Sequence, residues 1–222
     1  MKVEIEWAPS PNYTKGRKGR KIIAIVSHIT AGTFPGCLSW MRNPQAKASA
    51  HYLVTRQGKI YQMVRDEDTS WHAGMVNKPN WRLYDGSNPN RSTIGIEHEN
   101  LSGGLLTEAQ YQATLWLHRR LIEKYGIPAD RDHIIGHYQI DSVNRPNDPG
   151  PQFPWGRLLA DLKEDENVAT EAKIKVNGQI ITGYILKDNR SYAPVRALAE
   201  ALGAKVDWDA NTRTVLISKG GK

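Results

Sequence analysis

Residues 22–26, with the sequence IIAIV, are the feature that most constrains how this chain can fold. Positions 22, 24 and 26 lie on one face of an extended chain and positions 23 and 25 on the other, and all five are apolar. A strand that is apolar on both faces is covered on both faces, as in the middle of a sheet. The run is too short for a helix and is rich in β-branched residues. We therefore predict an interior strand that ends in Ser27 and His28.

Length and composition indicate a globular protein with one sizeable domain and a small one. The chain has 222 residues, of which 39% are hydrophobic, and it includes seven Trp and nine Tyr. No apolar run approaches the length of a membrane span, so we expect no transmembrane segment. Glu4 and Glu6 stand where a signal peptide has an apolar core, so we expect synthesis without a secretion signal. The single cysteine, Cys37, excludes an internal disulfide and a zinc cluster of several thiolates.

The net charge of +7 and the pI of about 9.4 predict attraction to polyanions such as nucleic acid, anionic lipid or wall polymer. The densest basic run, residues 15–21, has no interleaved aromatic side chains and no nucleic-acid motif. We expect this run to be a solvated loop, and we expect no specific nucleic-acid binding.

Strand and helix patterns alternate along residues 1–163, which we take as the first domain. Thr107 followed by Gln110 has the spacing of a helix N-terminal capping box. The loop at 73–90 is rich in Asn, Pro and Gly, and long loops of this kind are often functional. We predict strands at 48–55, 59–64, 92–99 and 134–137, a hairpin turn at 56–58, and helices at 37–42, 107–125 and 156–162.

A second, smaller domain follows a charged segment without aromatic residues at 164–172, which we interpret as a linker. Residues 173–222 predict a small α+β domain. It contains a hairpin that turns on Asn177 and Gly178, a helix at 194–202 and two closing strands.

The seven histidines offer several metal-binding combinations. His133 and His137 have a helical ligand spacing, but residues 134–136 are strand-like, and four strand residues separate the two rings by about 13 Å. His137, at the end of an apolar strand, resembles His28 in its setting, and Asp148 lies nearby in a Pro- and Gly-rich loop. On spacing alone, His28, His137 and Asp148 are one possible ligand set among several.

Seven segments in order resemble the zinc-dependent N-acetylmuramoyl-L-alanine amidases of the type 2 family, whose fold the peptidoglycan recognition proteins share. The resemblance covers about residues 5–163 and implies an α/β fold with a mixed central β-sheet flanked by helices. The segments are 25–30 (IVSHIT), 49–54 (SAHYLV), 58–61 (GKIY), 70–74 (SWHAG), 92–97 (STIGIE), 135–137 (IGH) and 148–155 (DPGPQFPW).

The resemblance implies that His28, His137 and Asp148 bind Zn²⁺, which lowers the pKa of a bound water and polarises the scissile carbonyl. It also assigns Glu97, the last residue of the family's Gly-Ile-Glu motif, as the group that takes the water's proton and delivers it to the leaving nitrogen. Strand alternation alone does not separate Glu97 from Glu99, because both fall on one face.

This chain departs from the family at the residue that is expected to stabilise the tetrahedral oxyanion formed during the reaction. The family commonly has a lysine two residues before the third ligand, and this chain has Pro146 there with Arg145 one position earlier. Arg145 is our candidate for stabilising the tetrahedral oxyanion, although a guanidinium and an ammonium differ in reach.

The other histidines receive different roles. His72, in the Trp-His-Ala-Gly segment, is predicted to contact substrate near the metal, and the alternative is a structural hydrogen bond that supports the loop. We place His51 behind the site or in the core, and His98, His118 and His133 at the surface.

The C-terminal segment resembles a different module, the small domain found at the start of copper amine oxidases and appended to many bacterial wall proteins. The matching residues lie at 176–178, 192–196, 199–204, 206–209 and 214–217. The segment has no His or Cys. The resemblance implies wall targeting or assembly, and the alternative is an appendage that only adds stability.

Taken together, these features predict a peptidoglycan hydrolase that cuts the amide between N-acetylmuramic acid and the L-alanine of the stem peptide. We expect a monomer of the phage or prophage endolysin type, which acts on the wall after release through a membrane pore. The alternatives are a non-catalytic peptidoglycan-binding protein on the same fold and a cytosolic amidase that recycles soluble muropeptides.

Overall fold

A six-stranded mixed sheet is the centre of the first of two compact units into which the chain divides, Met1–Leu162 and Lys163–Lys222. The structure, a computed structural model, describes residues 4–164, 170–185, 191–210 and 212–219. The strands of the first unit are β1 (Ile5–Trp7), β2 (Tyr13–Thr14), β3 (Ala24–Ile29), β4 (Tyr52–Val54), β5 (Ile60–Gln62), β6 (Thr69–Ser70), β7 (Thr93–His98) and β8 (Ile134–Gly136).

Strand β3 lies in the interior of this sheet, as the sequence predicts. The strand order is β1-β5-β4-β7-β3-β8, and β3 runs parallel to both of its neighbours. Five of its six residues are buried. The strand begins two residues later than predicted, at Ala24, and ends one residue later, at Ile29. Its pairing with β7 sets these bounds, because it runs from Ala24 opposite Thr93 to Ile29 opposite His98. The fold is therefore α/β with a mostly parallel central sheet.

Three helices accompany the sheet: α1 (Gly36–Met41), α2 (Glu108–Tyr125) and α3 (Trp155–Glu164). Short 3-10 turns occur at Pro44–Ala46, Pro89–Arg91 and His137–Gln139. All three helices were expected within one or two residues. Helix α2 begins after Thr107, whose side chain accepts a hydrogen bond from the Gln110 N–H at 3.1 Å, as expected of an N-cap. The side chain of Gln110 does not complete a capping box; it donates to the Val54 and Glu99 carbonyls instead.

The two faces of the sheet have different partners. Ile25, Ile94 and Ile96 share a buried cluster with Leu117 and Leu121 of α2. The strand residues that alternate with these, among them Ala24 and Val26, pack with Trp81 and Ile135 on the other face of the sheet. Alternation places the side chains of His28 and Glu97 on this second face. Helix α2 therefore supports the sheet from behind, and the functional residues project from the front.

The basic run at 15–21 is not wholly solvated. Arg17 is buried, and its guanidinium donates to the carbonyls of Asp66 at 2.6 Å and Thr93 at 3.0 Å. Burial lowers the pKa of this side chain to about 10. The expectation of a solvated loop is thus wrong for Arg17, because these backbone carbonyls need a donor and the buried guanidinium supplies it.

The described residues of the second unit form two small sheets and one helix. Its elements are β9 (Thr170–Val176), β10 (Gln179–Ile185), β11 (Ser191–Tyr192), α4 (Val195–Ala201), β12 (Ala204–Asp209) and β13 (Thr214–Lys219). The predicted hairpin turns on Asn177 and Gly178, both with positive φ. Of the predicted linker at 164–172, residues 165–169 lie outside the described residues and β9 begins at Thr170. The assignment of the linker and of the domain limits stays a prediction.

Within the described ranges, no helix combines the length and the apolar character needed to cross a membrane.

Candidate active site

A cleft of about 280 Å³ opens at the carboxyl ends of the central parallel strands. His28 lies in β3 directly opposite Glu97 in β7, and His137 follows β8. Asp148, in the loop that precedes α3, completes the group. The cleft is also lined by Arg145, Trp40, Trp71 and His72, together with Ile29, Thr30, Ala31, Met41, Ala48 and Ser49. Loops at the ends of parallel strands are where α/β proteins commonly build their sites.

Two imidazoles and one carboxylate converge inside this cleft. His28 Nδ1 lies 3.1 Å from His137 Nδ1. Asp148 Oδ2 lies 2.9 Å from His137 Nδ1 and 3.5 Å from His28 Nδ1. The other carboxylate oxygen, Oδ1, accepts the Ile29 N–H at 2.8 Å, which fixes the orientation of the side chain. The sequence analysis singled out the same three residues.

These three donors suit a zinc ion. Zinc binds nitrogen and oxygen at about 2.0–2.2 Å in a tetrahedron, which separates neighbouring donors by about 3.4 Å. The donor separations here, 2.9 to 3.5 Å, fit that requirement. Burial lowers the pKa of His28 below its usual value despite the neighbouring Asp148. Burial would raise the pKa of Asp148, but the close contacts of its carboxylate with His137 and His28 outweigh burial and hold that pKa well below its usual range. A neutral imidazole and an ionised carboxylate are the forms that bind metal.

Glu97 lies in an environment that disfavours the charged form of its carboxyl. Burial, and then the negative charge of Asp148, raise the pKa of Glu97 well above its usual value, while Arg145 opposes the shift. Its Oε2 atom is buried and has no hydrogen-bond partner among the residues that the structure describes. A buried carboxyl oxygen without a partner is uncommon and is typical of a group that meets water or substrate.

Glu99 has a different environment, although it is only two residues away. Its Oε1 accepts the Phe34 N–H at 2.9 Å and its Oε2 accepts the Arg56 N–H at 2.8 Å. The two carboxylate oxygens therefore hold the backbone at Phe34 and at Arg56 next to the end of β7. The contacts distinguish the two carboxylates, which alternation could not do.

Arg145 lies at the cleft and Pro146 occupies the position of the family's usual lysine. The backbone makes a tight turn at this point: the Arg145 N–H donates to the Asp141 carbonyl, and the Asp148 N–H donates to the Arg145 carbonyl, each at 3.2 Å. This turn places Arg145 and Asp148 on the same cleft.

The other histidines are mostly internal. The surface prediction is wrong for His98 and His118, which are fully buried. Each donates through Nδ1 to a backbone carbonyl, at 2.9 and 2.8 Å. Burial lowers their pKa values to about 3 and about 4, so the rings are accommodated in the core as neutral groups. His51 is buried as expected, with its Nδ1 facing the Gly95 N–H at 3.0 Å. His133 is partly exposed and pairs with Asp130.

The roles of Thr93 and Asn90 behind the site were not anticipated. His72, which the sequence placed near the metal, lies against His28 and Thr93, and Asn90 holds the backbone of His72 and Ala73. The sequence contains one available signal for this arrangement, the small residue Gly95 inside a strand, since a glycine there often marks the close approach of another group.

Comparison with known proteins extends these observations. Residues 18–151 match the family described as N-acetylmuramoyl-L-alanine amidase. Residues 170–222 match the family described as copper amine oxidase N-terminal domain.

Three relatives illustrate the similarity of the first unit. N-acetylmuramoyl-L-alanine amidase A of Achromobacter lyticus is 29% identical over 171 residues, which cover 68% of this chain and 89% of that protein. The 1,6-anhydro-N-acetylmuramyl-L-alanine amidase AmpD of Salmonella typhimurium is 34% identical over 179 residues, which cover 71% and 90%. The solved complex of the Escherichia coli amidase AmiD with the substrate anhydro-N-acetylmuramic acid-L-Ala-D-gamma-Glu-L-Lys has a TM-score of 0.55 and 30% identity, over 67% of this chain and 58% of that one.

The sheet, the cleft with its buried Glu97 and these matches define an amide-cleaving hydrolase. The family match spans more than half of the chain, and AmpD is similar over nine tenths of its length. The chain belongs to the N-acetylmuramoyl-L-alanine amidase family.

Proposed function

We propose that this protein is a zinc-dependent enzyme that cleaves the amide joining the lactyl group of N-acetylmuramic acid to L-alanine in peptidoglycan. The observation that carries the proposal is the convergence of the His28, His137 and Asp148 donor atoms beside Glu97, whose carboxyl has a buried oxygen with no partner among the described residues. A protein that only bound peptidoglycan would need neither group.

His28, His137 and Asp148 would hold the zinc ion. When bound, zinc supplies a Lewis acid that polarises the scissile carbonyl and makes water more acidic. Every other task falls to side chains of the cleft.

Glu97 is the general base and then the general acid. Its carboxylate takes a proton from the attacking water and delivers that proton to the L-alanine nitrogen as the carbon–nitrogen bond breaks. The raised pKa of Glu97 suits this exchange, because a carboxyl with a pKa nearer neutrality both accepts and returns a proton readily.

Arg145 is proposed to stabilise the oxyanion that forms on the scissile carbonyl. It lies at the same cleft as Asp148 and is the nearest cation in sequence to the position of the family's lysine. A fixed cation beside developing negative charge stabilises a transition state more than it does the ground state.

The polymeric wall is the substrate that we favour. A net charge of +7 favours an anionic polymer, and the C-terminal unit offers a second attachment point. In this lytic role, that of a phage or prophage endolysin, the protein would reach the wall through a membrane pore.

Recycling of soluble muropeptides is the second candidate, and the 34% identity to AmpD favours it. A recycling enzyme would prefer soluble fragments to intact wall, so the ratio of the two rates separates the candidates.

Metal analysis combined with an assay for newly freed L-alanine amino termini tests the proposal. Wild-type protein should carry one zinc per chain and release these termini from purified walls. His28→Ala should lose both properties, because two protein ligands hold zinc far more weakly than three. His133→Ala, which alters a histidine outside the cleft, is the matched control and should keep both. Full zinc occupancy in His28→Ala would overturn the ligand assignment.

A further inference from the structure

The hydrogen bonds behind the two histidines of the cleft converge on two consecutive residues. His28 Nε2 lies 3.0 Å from His72 Nδ1. His137 Nε2 lies 2.9 Å from the carbonyl oxygen of Ala73. We propose that His72 is a positioning residue which, with the Ala73 carbonyl, holds both imidazoles in the tautomer that presents Nδ1 to the metal. This inference rests on the proposed function and assigns His72 to His28 instead of to the substrate.

The direction of the hydrogen bonds at His28 follows from a backbone carbonyl. The Pro89 carbonyl can only accept, and the Thr93 hydroxyl donates its single hydrogen to it at 2.9 Å. Thr93 Oγ1 therefore accepts the Nε2–H of His72 at 3.0 Å. A neutral His72 then has a lone pair on Nδ1, which accepts the Nε2–H of His28. His28 Nδ1 is left with its lone pair facing His137 and Asp148.

The direction of the hydrogen bond at His137 follows from a single contact. The Ala73 carbonyl is an acceptor, so His137 must carry its hydrogen on Nε2 and its lone pair on Nδ1. Asn90 Oδ1 accepts the N–H groups of both His72 and Ala73, at 3.1 and 2.8 Å, and so fixes this two-residue segment. The His72 side chain and the Ala73 carbonyl, which are neighbours in the chain, thus orient both rings.

Strand β7 provides the space and the anchor for the His72 ring. A Cβ atom at Gly95 would lie 2.4 Å from His72 Cγ, so the ring occupies the place where any other residue would project its side chain. Two residues earlier, Thr93 holds the far nitrogen of the ring. With the side chain buried and both ring nitrogens engaged, His72 has no ring nitrogen free to hydrogen-bond to substrate. Groups that hold metal-binding histidines in this way commonly control metal affinity.

The experiment combines nitrogen-15 NMR of the histidine rings with zinc affinity measured by chelator competition. In metal-free wild-type protein, Nε2 should be protonated on both His28 and His137. His72→Leu should leave His28 in a mixture of tautomers and weaken zinc binding by about 10–100-fold. His72→Asn should restore most of the affinity, because its Oδ1 can take the place of Nδ1 as the acceptor. Thr93→Val should weaken binding, and Thr93→Ser should behave as wild type.

The possible failures are distinguishable. An unprotonated Nε2 on His28 in the metal-free wild type would mean that the hydrogen bond to His72 runs in the opposite direction and would overturn the inference. Unchanged zinc affinity in His72→Leu, with a raised KM for muropeptide, would return His72 to substrate binding. If His72→Leu does not fold, the Thr93 pair decides the matter by the same two readouts. Wild-type protein that binds zinc without cleaving peptidoglycan would contradict the proposed function while the tautomers and affinities still test His72.

Discussion

Two glutamates that lie close together in sequence show how much the surroundings of a residue decide its chemistry. Glu97 lies in β7, and Glu99 follows His98, the last residue of that strand. Glu99 is satisfied by the backbone N–H groups of Phe34 and Arg56, whereas Glu97 retains a buried oxygen with no partner in the described part of the chain. The first arrangement stabilises a loop and the second is suited to proton transfer.

Exchanging each carboxylate for its amide separates the two roles. Glu97→Gln should fold, keep zinc and lose about 10²–10⁴-fold in kcat, because an amide cannot accept the proton of water. Glu99→Gln should keep kcat per folded molecule but unfold more readily by about 1–3 kcal/mol, because its amide NH₂ faces a backbone N–H. Turnover of a soluble muropeptide, zinc content and urea unfolding measure these effects. The assignment is reversed if Glu99→Gln is inactive while fully folded and Glu97→Gln is active.

The sequence predicted which residues come together where a motif fixed their positions, and it misplaced residues where only the residue type was available. His28, His137 and Asp148 were selected by ordered segments, and the structure brings their donor atoms together. His98 and His118 were placed at the surface because histidine is usually not fully buried. Their burial depends on single backbone carbonyls that accept from each ring, and no sequence pattern reports such a contact.

At the scale of elements, a single buried carboxylate joins α2 to the strands beneath it. Asp66 Oδ1 accepts from the Tyr52 hydroxyl at 2.6 Å, and Oδ2 accepts from Lys124 at 2.8 Å and the Tyr125 hydroxyl at 2.7 Å. The bounds of α2 were predictable from Thr107 and Gly126, which end it by local chemistry. Its attachment through Asp66 was not, because the partners are distant in sequence.

Replacing Asp66 should therefore destabilise the first unit without touching the cleft. Asp66→Asn should lower the free energy of unfolding by about 3 kcal/mol at pH 7, because buried donors lose their acceptor. Asp132→Asn, which removes an ion pair with Arg82 at the surface, is the control and should change little.

The pH dependence of that difference has a definite sign. Burial would raise the pKa of Asp66, but hydrogen bonds from Lys124, Tyr52 and Tyr125 outweigh it and lower the pKa below 3.8. A carboxyl whose pKa is lower in the folded than in the unfolded state stabilises the fold when the pH is above the unfolded-state pKa. This stabilisation is lost as the pH falls through the folded-state pKa. Urea unfolding at pH 7, 5 and 3 should show the gap between wild type and Asp66→Asn narrow only at the acidic end. A gap that widens toward pH 3 would contradict this assignment.

At the scale of the whole molecule, every proposed catalytic group belongs to the first of the two units. The order of strands and helices in that unit was largely predictable, because alternating and helical periods are local properties of a sequence. Strand β1 was missed, because three residues, Ile5–Trp7, are too few to show a period and their partner β5 lies more than fifty residues away. The neighbours of each strand in the sheet depend on such distant pairings. The family resemblance implied a mixed central sheet flanked by helices, but it was not used to predict the order of the strands.

Removal of the C-terminal unit tests whether the two units act independently. A chain ending at Glu164 keeps α3, whose Leu158 and Leu162 pack in the core of the first unit, together with all of the proposed site. It should bind zinc and hydrolyse a soluble muropeptide at the rate of the full chain, because independent domains share few contacts.

Binding to intact walls should fall on truncation if the C-terminal unit adds a second attachment point, since tethering makes one of the two contacts intramolecular. Part of that contribution should be electrostatic, because residues 171–222 carry nine Lys and Arg against five Asp and Glu, and salt screens such an excess. Sedimentation of both chains with purified walls across a salt series measures this contribution. Equal sedimentation at every salt concentration would show that the unit is not a wall anchor, and a full chain that hydrolyses soluble muropeptide much faster than walls would favour recycling over lysis.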